Sequence, residues 1–132
     1  MELGHCFESA LNVLMNKQHR IRQINANRFC LVHGIAIISG GQHFGEKFCH
    51  AWIEFDLNGF EFCYDAETDL LSTKETYYVI GRVTTVKRYS EIEALKMAFR
   101  FSHYGPWEKD LVEVETEFNP TMKGAIEGIH YN

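Results

Sequence analysis

Asn58-Gly59 lies between two apolar-rich runs, Lys47 to Leu57 and Phe60 to Asp65. Both centres of a two-residue type I′ turn need positive φ, and no dipeptide meets that need better. The pair therefore predicts a β-hairpin and, with it, a register. If Asn58 and Gly59 form the turn, Leu57 faces Phe60, Trp52 faces Asp65 and Ala51 faces Ala66. Side chains alternate along a strand, so His50, Trp52 and Glu54 share a face with Cys63 and Asp65 of the next strand. His50 becomes the diagonal neighbour of Asp65, within reach of a carboxylate–imidazole hydrogen bond.

Upstream, Phe7, Ala10, Leu11, Leu14 and Met15 recur at helical spacing, predicting an amphipathic helix from Cys6 to about Arg20. Gly4 permits a sharp entry, and Glu8 suits the positive end of the helix. Cys6 thus falls at a helix N-terminus, where unpaired N–H groups favour a thiolate. Lys17 to Asn27 reads as a connection. Phe29 to Ile38 is apolar on both faces, as a strand covered on both sides is. Ser39 to Gly45 is a glycine-rich loop without the Lys-Ser/Thr of a phosphate loop.

Downstream, Glu67 to Thr76 reads as a loop or a short turn of helix. Tyr77 to Tyr89 is rich in β-branched and aromatic residues and reads as one or two strands with a bulge at Gly81. Ser90-Glu91-Ile92-Glu93 is a capping box opening a helix to about His103, with Ile92, Leu95 and Phe99 inward and Gly105-Pro106 as the stop. Glu108 to Glu117 alternates acids with Val112, Val114 and Thr116, which suits an exposed edge strand or a tail. Residues 119 to 132 carry no strong pattern. The organisation expected is an α+β domain over residues 1–107, an antiparallel sheet with the Cys6 helix on the face bearing His50 and Asp65, followed by an acidic strand or tail over 108–132.

At 132 residues the chain is long enough to bury a core, and 45% hydrophobic content is globular. A net charge of −5 argues against a nucleic-acid partner, and no run of eighteen apolar residues exists to span a membrane. No signal peptide is visible, so the four cysteines read as reduced thiols in a cytoplasm.

A thiolate nucleophile needs a base beside it, and the base needs a group that fixes its tautomer. Cys6, His50 and Asp65 supply those three roles in that order. Gly4-His5-Cys6-Phe7-Glu8, His50-Ala51-Trp52-Ile53-Glu54 and Tyr64-Asp65 resemble the transglutaminase-like branch of the papain-like cysteine protease superfamily. Tyr77-Tyr78, Arg88-Tyr89-Ser90 and His103 to Trp107 add similarity to small phage and bacterial proteins of that type. The resemblance spans about residues 3 to 107. It implies Cys6 as nucleophile, His50 as base and then acid, Asp65 as orienting carboxylate, and a thioacyl intermediate on a protein or peptide substrate. Gly4 and Trp52 are expected to border that substrate. The five-residue lead holds no glutamine, so only the Cys6 N–H is assigned to an oxyanion.

Two other readings compete. One is a catalytically silent binding or inhibitory protein on the same fold. The other is zinc held among Cys30, His33, Cys49, His50 and Cys63; yet no Cys-x-x-Cys occurs and the register turns Cys49 away from Cys63. No metal or cofactor is expected.

Overall fold

The computed structural model describes residues 5–118. In chain order these form α1 (His5–Met15), β1 (Asn27–Ile37), β2 (Lys47–Leu57), β3 (Phe60–Asp65), β4 (Leu70–Thr73), α2 (Lys74–Gly81), β5 (Val86–Tyr89), α3 (Glu91–Phe101) and α4 (Lys109–Phe118). The strands make one sheet in the order β4-β3-β2-β1-β5, antiparallel at every pairing. The fold class is therefore α+β, as expected.

The hairpin carries the expected turn and register. Asn58 and Gly59 have φ of 53° and 85°, and Leu57 pairs with Phe60. The β2–β3 ladder stops at Ile53–Tyr64, so neither Trp52 and Asp65 nor Ala51 and Ala66 pair. Asp65 Oδ1 accepts the backbone N–H groups of Glu67 at 3.0 Å and Thr68 at 3.4 Å. That local bond turns the chain away from β2. The turn leads into β4, a short strand within the stretch expected to be a loop, pairing Leu70 with Asp65.

β1 is central and covered on both sides, with Leu31 to Ala36 all buried. On one face Leu31, Ile35, Ala51, Ile53 and Phe55 pack against α1, α3 and α4. On the other, Val32, Trp52 and Cys63 pack beneath Tyr77 and Tyr78 of α2. The body of α1 thus lies opposite the expected face. Its stripe of Phe7, Ala10, Leu11 and Leu14 needs wide apolar surface, and the face of His50, Glu54 and Asp65 is too polar to offer it. α1 also ends at Met15, with turns in place of the last expected helical residues.

Three further expectations give way. Tyr77 to Gly81 is helical: the Thr73 hydroxyl caps α2 by accepting the Thr76 N–H at 3.3 Å, and Arg82 closes it at φ 48°. Packing of Tyr77 and Tyr78 onto Trp52 overrides their strand propensity. α3 keeps its capping box but buries Ala94 and Phe101, while Ile92 and Phe99 are exposed. Small Ala94 and Ala98 let that helix approach the sheet, and a reading weighted to bulky residues sets its phase wrongly. Residues 109–118 form α4 rather than an edge strand, because Leu111 and Glu115, one helical turn apart, are both buried against β2. No helix of the described residues is long and apolar enough to cross a membrane.

Candidate active site

His50 and Asp65 meet as the register requires. The imidazole Nε2 donates to Asp65 Oδ2 at 2.7 Å, with both side chains about nine-tenths buried. The same oxygen accepts the Tyr77 hydroxyl at 2.7 Å. With the two amides on Oδ1, each oxygen of the carboxylate takes two donors. Burial works to raise the Asp65 carboxyl, but the His50 hydrogen bond and charge, with the Tyr77 hydroxyl, hold it below the usual carboxylate value.

Cys6 lies near enough to act on the same imidazole. Burial alone would pull the imidazole down. The hydrogen bonds and charges of Asp65 and Cys6 outweigh it and push the ring up to about 10. Asp65 and Cys6 together therefore favour the charged form of the ring.

The body of α1 lies on the other face, and β2 has an open edge beside the ring. The Ile35 N–H bonds Thr85 O at 2.9 Å, and Ile35 O accepts the Thr84 N–H at 3.0 Å, so its backbone groups point toward β5. Cys49 sits opposite Ile35 and must point its own N–H and C=O away from β1. Beyond Tyr64, β3 offers no partner for them. Glu115 of α4 lies near that edge, where the Cys49 N–H works to lower its carboxyl. Glu115 is 2% exposed, and burial raises it to about 7 against the opposing Cys49 N–H and His50 charge. A buried acid thus stands behind the residue that precedes His50.

All four cysteines are free. Burial pushes Cys30 up to about 11, and pushes Cys49 and Cys63 well above the usual thiol range, with the Glu54 charge adding to Cys30 and Cys63. Cys6 is the one that acts on the His50 ring.

Trp52 shares the site face but has no exposed surface. Its indole N–H donates to Glu54 Oε2 at 2.9 Å. Glu54 also accepts the Tyr78 hydroxyl, Arg88 Nε at 3.1 Å and the Cys63 thiol at 3.7 Å. Trp52 is thus a packing residue, and only its ring contributes to the floor of a cavity beside His50. Gly4 lies outside the described residues. Tyr77, Glu115 and the Glu54–Arg88 pair were not foreseen. A hydroxyl directed at Asp65 cannot be read while Tyr77 is assigned to a strand. Glu115 does carry a signal, as an acid one turn after Leu111 on what proves an apolar helix face.

The zinc set does not assemble. His33 is packed among Phe7, Tyr89 and Trp107 on one face, whereas Cys30 belongs to the other. Burial lowers the His33 ring to about 3, as a neutral aromatic filler requires. Among the described residues no three His, Cys, Asp or Glu side chains are placed to hold a metal ion. An open depression of about 760 Å³ at the β2–β3 turn, bordered by Arg28, Phe60 and Lys74, shares no residue with Cys6, His50 and Asp65. Compared with protein-family models, curated proteins and solved structures, the chain matches none.

Proposed function

We propose that this protein is a thiol-dependent enzyme acting on amides of a protein or peptide, a cysteine peptidase or deamidase with Cys6 as nucleophile. The observation that carries the reading is the His50 imidazole, held at Nε2 by Asp65, with Cys6 near enough to raise the same ring. A cysteine and a histidine so arranged form a nucleophile–base pair, and the carboxylate fixes which ring nitrogen does the work.

In this mechanism His50 takes the Cys6 proton. The sulfur attacks the substrate carbonyl carbon, and the C=O electron pair moves onto oxygen. The Cys6 backbone N–H, near the start of α1, is one donor to that oxyanion. The imidazolium protonates the leaving nitrogen, the C–N bond breaks and a thioester remains. Water, deprotonated by His50, then attacks the thioester and releases acid and thiol. Asp65 keeps its proton count throughout and stabilises the imidazolium. Four free thiols suit a reducing compartment, and we place the protein in the cytoplasm.

Alkylation with iodoacetamide, mapped by mass spectrometry, tests the assignment. Cys6 is expected to react far faster than Cys30, Cys49 and Cys63 below pH 7, and His50→Ala to abolish the difference. Equal, slow reaction of all four thiols would leave a silent binding protein on the same fold.

A further inference from the structure

A cavity of about 240 Å³ opens between α2 and the sheet, with the His50 imidazole and Asp65 in its wall. The rest of its lining is mainly apolar: Ala36, Phe48, Trp52, Tyr77, Ile80 and Val83. Asp65 offers an incoming group no free charge, since His50, Tyr77, Glu67 and Thr68 already occupy its oxygens. The Ser72 hydroxyl in the same wall is buried and has no partner among the described residues. It carries no charge to neutralise one on an occupant. A second space of about 570 Å³ continues past Ala36, Phe48, Ile80 and Gly81 to the glycine-rich loop at Ser39 and Gly40.

We propose that the cavity receives the substrate side chain beside the reacting amide, and that this side chain is uncharged and bulky, aromatic or branched aliphatic. The inference rests on the reading of Cys6 as nucleophile. Cys6 is not in the lining, but an occupant of the cavity lies against His50, the base assigned to Cys6, which ties it to the reacting group. An apolar cavity of about 150 Å³ accepts benzene, so this one has room for a phenyl or isobutyl group with its backbone attachment. A charged side chain would lose its water without gaining a partner. The adjoining space would take the next part of the same chain along the loop.

The test uses short peptides ending in a thiol-reactive nitrile, identical except for the side chain beside it: Phe, Leu, Asp or Lys. Labelling of Cys6 is followed by mass spectrometry on the full chain. The expected result is faster labelling by the Phe and Leu probes, about tenfold or more over Asp and Lys, as differential pocket binding gives. Ile80→Asp is expected to shrink that preference. Ile80 is 66% exposed at the rim of both spaces, so the variant should fold. If iodoacetamide singles out Cys6 but the four probes label it alike, the cavity assignment is overturned and the nucleophile stands. If iodoacetamide does not single out Cys6, both fall together.

Discussion

Tyr77 and His50 converge on one oxygen, Asp65 Oδ2, each at 2.7 Å. The tyrosine comes from the short helix α2, no residue of which is fully buried. Its hydroxyl therefore ties a surface helix to the carboxylate that orients the imidazole. Tyr77→Phe is expected to destabilise the fold by roughly 1.5–3 kcal/mol, the usual worth of a hydrogen bond to a charged group. The Asp65 carboxyl should rise on losing that donor. Urea unfolding measures the first effect and carboxyl-resolved NMR titration the second; no change in either would remove Tyr77 from the site.

Glu115 is expected to make stability fall with rising pH. Its folded value is raised from 4.5 to about 7, so its contribution is fully present below about pH 4.5 and is lost as pH climbs through 7. Glu115→Gln keeps an oxygen for the Cys49 N–H and removes the ionisation. Relative to the parent, it should gain on the order of 2 kcal/mol at pH 8 and much less at pH 5. Denaturant unfolding at the two pH values decides it.

His50 has the same sign over a higher window. An imidazole raised from 6.5 to about 10 gives stability that is whole below pH 6.5 and drains away as pH rises toward 10. His50→Gln should flatten the pH–stability curve across that interval. A parent protein equally stable at pH 7 and pH 10 would contradict the pairing with Asp65 and Cys6.

Gly34 faces His50 across the ladder, and a Cβ built there would stand 2.5 Å from Trp52 Cη2. Gly34→Ala should cost about 1–3 kcal/mol, the range for overpacking a filled core, and displace the indole. Loss of near-ultraviolet tryptophan ellipticity together with a lowered Tm is the expected outcome.

Glu54 accepts from Trp52, Tyr78 and Arg88, and its side chain is 7% exposed. Glu54→Ala strands the buried indole N–H and should cost around 3 kcal/mol, while Glu54→Gln, which still accepts, should cost less. Equal unfolding midpoints for the two variants would deny Glu54 that role.

The hairpin was legible because one dipeptide fixes a turn, and the turn fixes every pair after it. From that register the diagonal of His50 and Asp65 followed by parity alone. The helix at Cys6 was legible from its stripe, but its face was not. Periodicity says that Phe7 and Leu14 are buried, without saying which side of the sheet has room for them. α2 and α4 misled for related reasons. Tyr77-Tyr78-Val79-Ile80 has the composition of a strand and becomes helical through its cap and its contacts with Trp52. In α4 the alternation of valine with glutamate hid the four-residue step from Leu111 to Glu115, whose buried acid answers a backbone amide far away in sequence.

β3 quits its ladder with β2 after Tyr64, and the Asp65 side chain itself bends the chain aside. Had the pairing run four residues further, to Thr68, its main chain would have zipped against Ala51 and Cys49 and closed the edge of β2 beside His50. One aspartate is thus both the brake on strand growth and the anchor of the imidazole. Replacing it would cost the site its doorway as well as its hinge-pin.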